Sequence, residues 1–238
     1  MERRFADFHT HILPGIDDGS ANVEESLEML RLLAQQGADC VVATPHFYAN
    51  YDSPERFLKK RQAAIDALME AVANETELPE LRFGAEVYYF NGISQCDALP
   101  DLVISGTRCL LVEMPMQHWS DQMLWELREI HDKWGLVPIM AHIDRYISPF
   151  RTRRLLERLA RLPVVIQANA NFFIQRSTRR LALRMLKNGD IHLLGSDCHN
   201  RSTRTPNLGE ALEIIANSGQ GDVLNHIYDL ERELLSGV

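Results

Sequence analysis

The sequence predicts an α/β fold on a parallel sheet, and three observations predict it. Short apolar runs recur along the 238 residues, they are continuous rather than alternating, and most are followed by a stretch with helical spacing. Continuous apolar runs suit parallel strands covered on both faces. Repeated strand–helix units close into a barrel or wind into an open sheet.

Phe5–Phe8 is the first strand. Asn22 and Glu25 have capping-box spacing for a helix to about Gln36, where Gly37 stops it. Asp39–Ala43 is the second strand, and Pro54 opens a helix reaching about Ala73. Leu81–Val87 and Arg108–Val112 are strands three and four, followed by a helix over Ser120–Lys133. Leu136–Ala141 is strand five and Val164–Ala168 strand six, with a helix near Phe150–Leu162 between them. A helix near Ser177–Asn188 ends at Gly189, and Ile191–Gly195 is the last strand. Helices over Pro206–Asn217 and Gly221–Leu235 complete the series. No low-complexity linker divides these units, so residues 1–238 read as a single domain.

Hydrophobic residues make up 45% of the chain and charged residues 24%, at a net charge of −8. That balance fits a globular protein and argues against nucleic acid as the main partner. The densest basic stretch, Arg151 to Arg161, is interleaved with Leu155, Leu156 and Leu159 and reads as the solvated face of an amphipathic helix. Met1-Glu2-Arg3-Arg4 is not followed by the apolar segment of an export signal, and no apolar run reaches membrane-spanning length. The expectation is no membrane insertion and a cytoplasmic location, where the four cysteines, none in a C-x-x-C pair, are reduced thiols.

Metal-ligand residue types follow the apolar runs one after another. His9 and His11, then Asp17 and Asp18, come after strand one; His46 after strand two; Glu86 at strand three; Glu113 at strand four. His142, with Arg145 close behind, ends strand five, and Asp197 and His199 end strand seven. Strand six offers only Gln167 and Asn169. In parallel barrels these ends meet at one face. Carboxylates crowded there would repel one another without cations to neutralise them, and imidazole with carboxylate suits zinc, manganese or iron. His118, His131, His192 and His226 fall in helices, turns or strand interiors and are set aside.

Taken together, DFHTHILPGIDDG, ATPHF, GAEVYY, LVEMP, AHIDRY and GSDCHN resemble the motifs of the polymerase and histidinol phosphatase superfamily, in order from about residue 5 to residue 206. Within it the chain is most similar to bacterial manganese-dependent protein-tyrosine phosphatases of capsule and exopolysaccharide operons. The resemblance implies a distorted (β/α)7 TIM-like barrel with three divalent cations, manganese first, with iron, zinc or magnesium as alternatives. His9, His11, Glu86 and Asp197 would hold one cation; Glu86, Glu113 and His142 a second; Asp18, His46 and His199 the third. Arg145 and Arg204 would grip the phosphate, and His199 or a water on the cations would supply the proton. The implied reaction is hydrolysis of a phosphomonoester by hydroxide activated on the cations, and the implied partner is a phosphotyrosine protein, a bacterial tyrosine autokinase. Two alternatives stand beside it: a small-molecule phosphatase of histidinol-phosphate or nucleotide type, and a metal-stabilised binding module without turnover.

The aromatic, uncharged segment Phe47-Tyr48-Ala49-Asn50-Tyr51 departs from relatives with basic residues there and is expected to reshape the substrate mouth, together with some of Tyr88, Tyr89 and Phe90. Cys198 and Arg204 have the Cys-x5-Arg spacing of thiolate phosphatases. The loop has no glycine to converge its amides on an anion, however, and Asp197 would raise the thiol pKa, so a thiolate mechanism is not expected.

Overall fold

The computed structural model describes residues 4–73, 75–148 and 152–237. In chain order it runs β1 (Phe5–Thr10), α1 (Val23–Gln35), β2 (Ala38–Ala43), β3 (His46–Phe47), α2 (Pro54–Val72), β4 (Glu80–Phe83) and β5 (Glu86–Tyr88). Next come α3 (Leu99–Leu102), β6 (Cys109–Glu113), α4 (Asp121–Trp134), β7 (Val137–Met140) and α5 (Thr152–Leu159). Last are β8 (Val165–Asn169), α6 (Ala170–Ile174), α7 (Arg179–Lys187), β9 (Leu193–Gly195), α8 (Leu208–Asn217) and α9 (Gly221–Leu235).

All strand pairs are parallel, in the orders β1-β2-β4 and β3-β5-β6-β7-β8-β9. The two sheets are one wall that bends. Gly84 N donates to Ala43 O (2.8 Å) and Glu86 N to Pro45 O (3.0 Å), which carries the ladder across the break. At the other edge Asp197 N donates to His9 O (2.8 Å) and His11 N to Cys198 O (2.9 Å), joining the last strand to the first. The result is the distorted TIM-like barrel. The expected third strand is divided into β4 and β5 because the wall bends at Gly84-Ala85, and β3 after Pro45 is the matching outer piece of strand two.

Side chains alternate across the wall. Cys40 and Val42, Cys109 and Leu111, Ile139 and Leu193 gather inside it, where Leu230, Leu234 and Leu235 of α9 pack on the cluster. Val41, Leu110, Val112, Met140, Ile166 and Leu194 face outward into the larger layer beneath the helices. The N-cap of α1 differs from the expected box. Asn22 Oδ1 accepts from Glu25 N (3.0 Å), but the Glu25 carboxylate returns to Ala21 N (3.0 Å) rather than to the cap residue itself. The expected start of the helix at Phe150 lies outside the described residues, as do Arg151 and Met1 to Arg3; α5 is described from Thr152. Among the described residues no helix is long and apolar enough to cross a membrane.

Glu231 of α9 is buried under the barrel floor and accepts from Ala6 N (3.0 Å). Burial pushes its carboxyl up to about 8, and Asp39 and Asp7 add to the rise. An acid whose folded pKa exceeds its unfolded value binds its proton more tightly when folded, so its contribution declines as pH rises from about 4.5 to about 8. Glu231→Gln keeps the acceptor without the charge. It should therefore raise Tm by several degrees at pH 8 and much less at pH 4.5, measured as two melting curves per variant.

Candidate metal centre

The inward face changes character where the strands end. On β6 the series Cys109, Leu111 continues to Glu113, and Glu86 on β5 pairs in register with Leu111. On β9 the series Leu193, Gly195 continues to Asp197, and on β8 Val165 gives way to Gln167 and Asn169. His9 and His11 arrive from β1 past a register shift between Asp7 and Thr10. All nine expected donors meet at this mouth, including Asp18 from the loop after β1.

His9 Nε2 lies 3.2 Å from His11 Nε2, 3.2 Å from Glu86 Oε2 and 3.5 Å from Asp197 Oδ1. Ligands about 2.1 Å from one cation stand roughly 3.0–3.4 Å apart, so these atoms have the spacing of a shared coordination sphere. His142 Nε2 is 2.9 Å from Glu86 Oε1 and 3.5 Å from Glu113 Oε1, and His46 Nδ1 is 2.9 Å from Glu86 Oε2. Asp18 Oδ1 is 3.4 Å from Nε2 of both His46 and His199. Three groups have donor atoms within 4.8 Å of one another: His9–His11–Glu86, His46–Glu86–Glu113, and His11–Asp18–His46–His199. The grouping overlaps the expected one with four differences: His11 joins two groups, His46 faces both Glu86 and Asp18, and Asp197 and His142 stand beside the groups rather than in them, Asp197 Oδ1 3.4 Å from His11 Nε2 and His142 Nε2 2.9 Å from Glu86 Oε1. His46 Nδ1, Glu86 Oε2 and His199 Nε2 are buried and make no aligned hydrogen bond although polar atoms stand 2.9–3.4 Å away, a cost that coordination would remove. The donor set therefore fits divalent cations.

The electrostatics agree. Burial opposes charge on Glu86, yet His9, His11, His142 and His46 hold its carboxyl well below the usual range; Asp197, also buried, is lowered by His9 and His11. Burial likewise opposes the imidazolium of His11, but bonds to Asp17, Asp197 and Glu86 carry its pKa well above the ordinary value, and Glu113 and Glu86 raise His142 to about 9. Protons on these imidazoles occupy the place of cations and would leave as cations bind. Burial, with His11 and Arg204, pushes His199 down to about 4, so its ring is neutral at pH 7 and suits a ligand better than a general acid.

A second layer, which the sequence barely marks, holds the donors. Asp17 accepts from His11 Nδ1 (2.8 Å), His46 N (3.0 Å) and Gly19 N (2.9 Å), which fixes the ring of His11 and the backbone that carries His46. Gly19 is required because a Cβ there would lie 2.2 Å from His11 O. Gln167, assigned no strong role, accepts from His142 N (2.7 Å), and Asn169 Nδ2 donates to Asp197 Oδ2 (2.9 Å). A Cβ at Gly195 would sit 2.7 Å from His9 Cβ, so this glycine makes room for the first donor. His142 (φ 33°) and Asp197 (φ 54°) hold left-handed backbone, strain at a site whose surroundings over-determine it. Asp-Asp-Gly spacing was the signal available for Asp17; nothing in a lone Gln marks Gln167.

Two arginines stand at the rim, each about one-third exposed. Arg145 Nη2 is 2.7 Å from Asp197 Oδ2 and its Nη1 3.3 Å from Glu113 Oε1; Arg204 Nη2 is 2.7 Å from Asp197 Oδ1. Cys198 is fully buried, and burial with the charge of Asp7 raises its thiol far above the ordinary value, which removes it as a nucleophile. Of the aromatic residues expected at the mouth, Tyr88 is half-buried beside Tyr48. Tyr89 instead packs inward, its hydroxyl bonded to Glu126, and Phe90 packs against the core.

Fold and donor set together define a TIM-like barrel with a histidine–carboxylate centre at the C-terminal mouth of its strands. The chain belongs to the CpsB/CapC family of capsular polysaccharide synthesis, whose model matches residues 5–232. It is 28% identical over 221 residues to the tyrosine-protein phosphatase YwqE of Bacillus subtilis, covering 88% of this chain and 83% of that protein. It is 25% identical over 239 residues to the tyrosine-protein phosphatase CpsB of Streptococcus agalactiae, covering 93% and 94%. A crystal structure from work on YwqE from Bacillus subtilis and CpsB from Streptococcus pneumoniae, described as metal-dependent tyrosine phosphatases, superposes with a TM-score of 0.85 at 24% identity, covering 98% of this chain and 95% of the other. A TatD-family hydrolase from Entamoeba histolytica shares the fold more distantly, with a TM-score of 0.54 at 13% identity, covering 99% and 98%.

Proposed function

We propose that this chain is a metal-dependent protein-tyrosine phosphatase that hydrolyses phosphotyrosine on a tyrosine autokinase of capsule or exopolysaccharide synthesis. The observation that carries the reading is the convergence of nine imidazole and carboxylate donors, several of them orphaned, beside two rim arginines. Three cations, manganese first, fit the three donor groups, with Glu86 shared between two of them. Such cations would neutralise the carboxylates, polarise the phosphoryl group and activate water.

The protein's own part is positioning. Arg204 keeps one arm on Asp197, and Arg145 reaches Asp197 with one arm and Glu113 with the other; both guanidiniums stand at the rim, where a phosphate would draw their donors to its equatorial oxygens. Asp17 and Gln167 hold His11 and His142 in place. His199 stays neutral, so leaving-group protonation does not depend on its ring; a phenolate, from a group with pKa about 10, needs less help than an alkoxide. The cytoplasm and one continuous domain over 1–238 complete the proposal.

The test is kinetic. A phosphotyrosyl peptide should be cleaved with a kcat/KM at least about a hundredfold above histidinol phosphate, a difference of roughly 3 kcal/mol in transition-state binding. Chelation should abolish turnover and added manganese restore it. A preference for the small molecule would sink the tyrosine assignment, and activity that survives complete metal removal would sink the metal-dependent reading.

A further inference from the structure

Resting on that phosphatase reading, we propose that Tyr48 and Tyr51, with Tyr88, form a subsite that receives the aromatic ring of the phosphotyrosyl substrate. Strand parity sets the row. Phe47 is fully buried and points into the core, so its neighbours His46 and Tyr48 share the opposite face. On β5 the same alternation puts Glu86 and Tyr88 on one face around buried Val87. The parallel register pairs His46 with Glu86 and Phe47 with Val87. One rung therefore carries two metal donors, and the next rung outward carries two tyrosines.

The rings are in contact. Tyr48 lies 5.2 Å from the His46 imidazole and 5.5 Å from Tyr88, centroid to centroid. Tyr51 extends the row, edge-on to Tyr48 at 6.1 Å, and at 83% it is the most exposed large hydrophobic side chain among the described residues. A backbone bond from Tyr51 N to Tyr48 O (2.9 Å) fixes the turn that brings it round. A cavity of about 330 Å³ is lined by Asp18 and His46 and also by Tyr48, Tyr51, Phe57 and Lys60. One hollow therefore touches two of the donor residues and two of the three tyrosines.

A phosphate held among the donors would bring its own aryl ring into this cavity, within the roughly 4.5–7 Å over which aromatic pairs attract. An alkyl phosphate would leave the wall uncovered. The row thus selects the aryl ester over the alkyl one and does so through binding, before any bond is broken.

The test uses the metal-loaded full chain with Tyr51→Ala and Tyr51→Phe; the side chain is exposed, so neither change opens the core. A phosphotyrosyl peptide reports on ring and phosphate together, and inorganic phosphate, as a competitive inhibitor, on the phosphate alone. Tyr51→Ala should raise KM for the peptide about threefold to tenfold while Ki for phosphate holds, and Tyr51→Phe should restore KM. An unchanged KM in Tyr51→Ala, or a Ki that rises with it, would overturn the subsite. Wild-type protein that leaves the peptide uncleaved would instead end the phosphatase reading itself.

Discussion

Glu86→Ala should lower kcat/KM by about a thousandfold or more, the equivalent of the several kcal/mol that cations contribute to charge stabilisation. Four imidazoles of the centre converge on this one carboxylate. Its Oε2 faces His9, His11 and His46, its Oε1 faces His142, and it belongs to two of the three donor groups. Alanine removes a charge that four imidazoles surround. The variant should bind fewer cations by elemental analysis, and excess manganese should rescue it only partly. Full metal content with activity lost would show that Glu86 acts on the substrate rather than through the cations.

Arg145→Ala is the second large effect, about a hundredfold to a thousandfold in kcat/KM, the range for removing one donor aimed at developing charge. Both KM and kcat should suffer, because the guanidinium would hold the phosphate before and during transfer. Metal content is the control. Arg145 also touches Asp197 and Glu113, so a structural role predicts that cations fall in parallel with activity. Arg145→Lys keeps the charge but loses the fork, and it should recover only part of the loss.

Most of the barrel was legible because its strands are short, apolar and bounded, a pattern that few other environments impose. The donors were legible for the same reason: each ends an apolar run, and the ends of parallel strands meet. Long-range registration left no such trace. Nothing local says that the run from Leu81 to Val87 breaks at Gly84, or that His46-Phe47 pairs with Glu86-Val87. Asp17 was hidden by its neighbour, since two adjacent aspartates look alike until one is seen against His11 and the other against His199. Gln167 was hidden by its chemistry, because an amide is a common residue and its role depends on the backbone it meets. The short α6 is likewise invisible, because the side chain of its N-cap residue Asn169 is turned to Gln167 and Asp197 instead of capping the helix.

The barrel's closing edge has a consequence for how the molecule holds together. His9 and His11 lie on one side of it, Asp197 and His199 on the other, and few backbone bonds cross between them. Cations gripped by both sides would act as rivets between segments almost two hundred residues apart in the chain. Loading should then resist unzipping at that edge more than anywhere else, and the greatest slowing of amide exchange on adding manganese belongs to β1 and β9.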